Sequence, residues 1–133
     1  MKKWLLIVVF LPIAFAGCGQ NTGGQETKKT EYQKISPEEA KKMLSENPSA
    51  ILVDVRTEAE FKEVHIPGAT LLPLNEIEDN AAKILPDKNA VILVYCRSGS
   101  RSRVAANTLI SMGYTNVYDI GGINGWPYET EKG

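Results

Sequence analysis

The stretch "VILVYCRSGSRSRVAANTLISMGY", residues 91–114, decides how this chain is read. Val91 to Tyr95 is a short continuous apolar run, the pattern of a strand buried on both faces of a parallel sheet. The run leads straight into Cys96. "CRSGSR" follows, and a helical pattern then extends from about Arg101 to Met112, with Gly113 as its natural terminator. The sequence therefore places a cysteine at the mouth of a buried strand, wraps it in small residues and flanks it with arginines.

The rest of the domain repeats the alternation of strand and helix. "EYQKI" (31–35) reads as a short first strand. In "SPEEAKKMLSENP", Ser36 is an N-cap, Pro37 takes the first helical position and Glu39 completes a capping box. Ala40, Met43 and Leu44 share one face of that helix, which is read as core packing. "AILVDVR" (50–56) is a second buried strand, and Thr57 caps a short helix, "EAEFKEV". "HIPGATLLPL" (65–74) turns into another short strand. "NEIEDNAAKIL" reads as a helix capped by Asn75, with Ile77, Ala81, Ile84 and Leu85 at helical spacing. "TNVYDI" supplies the last strand, and "GGINGWPYE" a closing turn. Strands alternating with helices argue for an α/β fold around a central, mainly parallel sheet covered on both faces. Open parallel sheets bind ligands outside the carboxyl ends of their strands, and both Asp54–Arg56 and Cys96 fall at such ends. The thiol is thereby expected at the functional edge and away from the middle of the core.

The loop chemistry follows from its residues. Small side chains let the backbone of Cys96–Arg101 curl tightly, and Gly99 supplies positive φ where the turn needs it. A tight loop feeding a helix N-terminus aims several backbone N–H groups inward and forms an anion-binding nest. Ser98, Gly99 and Ser100 contribute N–H groups, while Arg97 and Arg101 add full charges. Such surroundings favour thiolate over thiol. They also stabilise an anion carried on the sulfur.

Composition bounds the partners. The 133 residues carry 15 Lys plus Arg against 16 Asp plus Glu, so no basic stripe marks a nucleic-acid surface. Lys2 and Lys3 precede an almost unbroken apolar stretch from Trp4 to Ala16, the layout of a secretory leader and too short for a comfortable membrane span. "FAGC" (15–18) resembles the lipobox of bacterial lipoproteins, in which cleavage precedes a lipidated cysteine; Phe15 departs from the usual leucine. Read so, residues 1–17 are a lipoprotein-type signal peptide. Cys18 carries the acyl chains, and the chain is exported and held to the cell envelope with its domain outside the cytoplasm. The alternative is an ordinary cleaved leader that happens to contain a cysteine. Loss of the two leader lysines leaves 13 basic and 16 acidic side chains, with no electrostatic reason to lie on anionic lipid. "GQNTGGQETKKTE" (19–31) lacks apolar residues and reads as a flexible linker, so residues 18–31 form the tether and 32–133 the domain. With Cys18 lipidated, Cys96 has no intramolecular partner, which is unusual for an exported chain.

"YCRSGSRS" resembles the active-site loop of the rhodanese-like sulfurtransferases. "ILVDVRTEAEFKEVHIPGATLLPL" (51–74) matches that family's strand–helix–turn segment, and "GGINGW" (121–126) is similar to its closing motif. The resemblance covers about Tyr32 to Tyr128. It implies a single rhodanese-like domain with a five-stranded sheet and a reaction through Cys96. The cysteine takes the outer sulfur of a donor such as thiosulfate as a persulfide, and a nucleophile, cyanide or a thiol, removes it. The kinetics would be ping-pong. No metal or organic cofactor is implied; the partners are a small sulfur-containing anion and a thiol acceptor, and the chain is expected to be a monomer.

Carried onto this loop, Arg97 and Arg101 bind an anionic donor or shape the loop; Arg101 has the equal alternative of bracing it through a carboxylate. Asp54 and Arg56 are expected to form a supporting pair, His65 to serve a structural turn and Trp126 to pack. Three rival readings stand beside this one. A phosphatase or arsenate reductase would place five residues between cysteine and arginine, where this loop has four. A non-catalytic interaction module often lacks the cysteine. An extracytoplasmic redox thiol would want a second cysteine to resolve mixed disulfides.

Overall fold

The computed structural model describes residues 31–133, so the leader, Cys18 and most of the linker lie outside the described residues. Five parallel strands, β1 (Gln33–Lys34), β2 (Ile51–Asp54), β3 (Thr70–Leu71), β4 (Val91–Cys96) and β5 (Asn116–Gly122), form one sheet in the order β1-β5-β4-β2-β3. The fold is α/β, as the alternation of elements requires. β4 is central because its apolar run has no polar alternation to spend on solvent: Ile92, Val94 and Cys96 face one core, Leu93 and Tyr95 the other. Helices α3 (Ile77–Ile84) and α4 (Ser100–Ser111) cover the first face through Ile77, Ala81, Ala105, Ala106 and Leu109. Helix α1 (Pro37–Glu46) covers the second with Ala40, Met43 and Leu44.

Local signals set the helix starts. Ser36 accepts from the Glu39 N–H at 3.1 Å while the Glu39 carboxylate accepts from the Ser36 N–H, closing the capping box. Thr57 caps the short α2 (Glu58–Glu63) by accepting from the Glu60 N–H. Asn75 does not cap α3. After Pro73 the chain makes a 3-10 turn over Leu74–Glu76, which places Asn75 inside that turn and starts the helix at Ile77 without a side-chain cap. Ile84 also departs from its expected place on the core face. It ends the helix exposed, and Leu85, one residue beyond, takes the buried position.

All strands run the same way, so the carboxyl ends of β1, β2, β4 and β5 share one edge. A register shift between Val94 and Tyr95 inserts one extra β5 residue: Val94 pairs with Asp119, but Tyr95 pairs with Gly121. The Asp119 carboxylate steadies this bulge by accepting from the Gly121 N–H at 2.8 Å. The bulge brings Gly121 and Gly122 alongside the loop that follows Cys96.

Candidate active site

Cys96 is the last residue of β4, at the sheet's carboxyl edge, yet it has no exposed surface and belongs to the larger core cluster. The thiol lies at the edge the sequence indicates, but it is covered and packs with the core. The cause is the tightness of the loop. Gly99 adopts φ +106°, the left-handed turn its lack of a side chain permits, and carries its N–H to 3.0 Å from the Cys96 sulfur. Ser100 then opens α4 directly behind the sulfur, one residue earlier than the helical pattern indicates.

The ring of donors decides the protonation of the thiol. Burial pushes the Cys96 pKa up, but hydrogen bonds from the Ser102 N–H and hydroxyl and from the Gly99 and Ser98 N–H groups outweigh it, and the net shift is downward from the ordinary thiol value of 9.0. Ser102 is a site residue that sequence reasoning passed over. It is fully buried, and its hydroxyl lies 3.1 Å from the Gly99 carbonyl and 3.3 Å from that of Gly121, linking the loop to the β5 bulge. Beneath the loop, Gly122 makes the close approach: a Cβ there would stand 2.1 Å from the Arg97 carbonyl oxygen. The same carbonyl accepts from the Asn124 N–H.

The arginines occupy different surroundings. Arg97 is exposed and forms no ion pair among the described residues. Arg101 makes a two-pronged pair with Glu60 of α2, at 2.7 and 3.0 Å. The Arg101 guanidinium holds the Glu60 carboxyl down to about 2, against a smaller opposing effect of burial. Glu60 was not singled out from the sequence, because nothing near it in the chain marks it. Ser98 and Ser100 are exposed, and the Ser98 N–H is among the groups that lower the Cys96 thiol.

Asp54 and Arg56 meet at the end of β2 as a sealed pair. Nε of Arg56 donates to both Asp54 oxygens, and Nη2 donates to Oδ2 at 2.6 Å and to the Val64 carbonyl at 2.6 Å. Tyr95 lies opposite Asp54 on β4, its ring 5.6 Å below the Arg56 guanidinium, and its hydroxyl accepts from the Ile66 N–H. Burial, above all, keeps that phenol protonated, with the Asp54 charge adding to the effect. His65 is buried, stacked on Phe61 and engaged at both nitrogens: Nδ1 donates to the Phe61 carbonyl, and Nε2 lies 3.0 Å from Glu131. Trp126 packs against the second core and donates to the Glu129 carbonyl. Among the described residues no cluster of His, Cys, Asp and Glu has the makings of a metal site.

A sulfur atom ringed by backbone donors at the carboxyl end of a parallel strand defines a class of anion-stabilising cysteine sites, and comparison with known proteins narrows the class. The model of the rhodanese-like domain matches residues 36–129, and the chain belongs to that family. Over 71 residues it is 39% identical to the thiosulfate sulfurtransferase PspE of Escherichia coli (strain K12), covering 53% of this chain and 68% of that protein. A sulfurtransferase of Allochromatium vinosum is 39% identical over 93 residues, 69% of this chain and 85% of its own length. Among solved structures, a rhodanese with anions from E. coli superposes with a TM-score of 0.60 at 36% identity, covering 63% of this chain and 99% of that one. The described residues form one rhodanese-like domain, related to those of sulfurtransferases.

Proposed function

We propose that this protein moves a sulfane sulfur from an anionic donor such as thiosulfate to a nucleophilic acceptor through a persulfide on Cys96. The observation that carries this reading is the covered Cys96 sulfur, held toward the thiolate by N–H groups of its own loop. In the first half-reaction the Cys96 thiolate attacks the outer sulfur of thiosulfate. The new S–S bond forms as the old one breaks, and its electron pair leaves with sulfite. The terminal persulfide sulfur carries the negative charge, which preorganised N–H donors stabilise without reorganising at the moment of reaction. In the second half-reaction cyanide or a thiolate takes that sulfur, and the electron pair returns to Cys96.

Two features favour sulfur over phosphorus as the transferred element. Four residues separate Cys96 from Arg101, one fewer than a loop that wraps a tetrahedral phosphate. The Arg101 guanidinium, which such a loop would present to the phosphate, is held by Glu60. In this reading Arg101 positions the loop, the exposed Arg97 meets the incoming donor, and the Asp54–Arg56 pair supports the strand ends from behind.

The test is direct. Incubation with thiosulfate should add the mass of one sulfur, removable by cyanide and absent in Cys96→Ser. A protein that gains no sulfur from thiosulfate or from other sulfane donors would sink the persulfide route. The sequence pattern of residues 1–18 further supports a lipid anchor at Cys18, with the domain outside the cytoplasm. A Cys18→Ala chain should leave the membrane fraction, and its retention there would rule the anchor out.

A further inference from the structure

A cleft of about 290 Å³ is lined by residues of β1, β5, the loop after Cys96 and the start of α4. Lys34 of β1, Arg103 of α4, Asp119 and Gly121 of β5, and Ser98–Ser100 line it. Lys34 and Arg103 are exposed and make no ion pair or side-chain hydrogen bond among the described residues. The one carboxylate in the cleft, Asp119, is buried and already accepts from the Gly121 N–H, so two cations face the opening against a single, partly satisfied anion. Gly99 lines this cleft and also donates to the Cys96 sulfur at 3.0 Å, so the cleft borders the turn that holds the sulfur.

The volume argues about the occupant. Some 290 Å³ is on the order of ten times a water's share of liquid volume, far more than a donor the size of thiosulfate fills. Neither Cys96 nor Arg101 lines the cleft, so it holds a part of a substrate that lies away from the reacting atoms. A thiol acceptor has such a part. We infer that the Lys34–Arg103 cleft is the acceptor subsite and selects low-molecular-weight thiols bearing a carboxylate, whose charge it holds while their sulfur reaches the persulfide. The inference rests on the persulfide reading above. In the transfer step the acceptor thiolate attacks the terminal sulfur of Cys96–S–SH and forms RS–SH. The Cys96–sulfur bond breaks, and its electron pair leaves Cys96 as the thiolate, so no further oxidant or reductant is needed.

The test uses the full chain, first loaded with sulfur and checked by intact mass. Transfer is then measured to 3-mercaptopropionate, which is anionic, and to 2-mercaptoethanol, which is neutral. The wild type should show the lower KM for the anionic thiol, and added salt should narrow the gap. Lys34→Gln with Arg103→Gln should raise the KM for 3-mercaptopropionate about tenfold while leaving kcat, loading by thiosulfate and the KM for 2-mercaptoethanol unchanged, in line with two exposed charge contacts. Lys34→Arg with Arg103→Lys should restore the preference. Equal KM values for the two thiols in the wild type, or equal losses in the Gln variant, would overturn the assignment. Binding of the unreactive thioether 3-(methylthio)propionate to the unloaded protein separates the two ideas. Saturable binding lost in the Gln variant supports the cleft even if Cys96 never accepts sulfur, and no binding overturns the cleft even if it does.

Discussion

Two arginine–carboxylate pairs flank the same cysteine loop, and they are built differently. Asp54 and Arg56 are 0% and 3% exposed and sit two residues apart in the chain. Glu60 and Arg101 keep 21% and 32% of their side-chain surface and are 41 residues apart. The first pair has been taken out of water at a cost that only its four close contacts offset, so neither partner can be removed alone. The second remains hydrated and contributes little to stability, but it ties α2 to the first turn of α4. The sealed pair therefore belongs to the architecture of the sheet edge. The open pair is a brace whose removal should be felt in the loop more than in the fold.

The most forceful way to break this comparison is Asp54→Ala. It leaves the Arg56 guanidinium buried without its counter-ion and should destabilise the protein by about 3–5 kcal/mol, measured by urea unfolding. A loss below about 1 kcal/mol, the range of exposed pairs, would show that the site is wetter than its burial indicates. Next in size is Gly122→Ala, which acts on the loop with no charge involved. Its Cβ cannot share space with the Arg97 carbonyl, so the loop or the β5 bulge must shift, at about 1–3 kcal/mol. Sulfur loading by thiosulfate should fall more steeply than stability does. Ser102→Ala should cost about 1 kcal/mol and raise the pH midpoint of Cys96 alkylation toward the ordinary thiol value, because it removes a hydroxyl that helps to lower the thiol and keeps the backbone N–H. An unmoved midpoint would show that the backbone N–H groups suffice.

The smallest effect on stability is expected from Glu60→Gln, about 0.2–1 kcal/mol at neutral pH. Its signature lies in acid. Glu60 is depressed from 4.5 to about 2 in the folded protein. The contribution of the pair is therefore complete above pH 4.5 and is lost as pH falls toward 2. The stability difference between wild type and Glu60→Gln should close over that window. A difference that stays constant down to pH 2 would mean that the charge of Glu60 is not what holds Arg101.

Much of this molecule is legible in its sequence where the causes are local. The caps at Ser36 and Thr57 are written within three residues of the helices they start. The burial of β4 is written in its own apolar run. The turn at Gly99 requires a conformation that glycine supplies cheaply. The failures share the opposite property. Asn75 has the composition of a cap, but the preceding proline and a 3-10 turn displaced the helix start beyond it. Glu60 looks like any solvated acid on a short helix until α2 and α4 are placed side by side. Ser102 follows the motif by one residue and gains its meaning only from the carbonyl groups of Gly99 and Gly121, the second of which is brought there by a bulge in another strand. Of the candidate site, the cysteine and the course of its loop could be read along the chain, whereas the parts that hold the loop in place could not.

The distribution of these contacts has a consequence for a newly made chain. The acidity of Cys96 comes from amide groups that converge on it only when the loop is pinned from below by Gly122 and from the side by Glu60, residues supplied by separate elements. Before those elements dock, the sulfur is an ordinary thiol, mostly protonated at neutral pH and slow to react. The lowering of the thiol is therefore acquired together with the native structure and is absent from the nascent polypeptide.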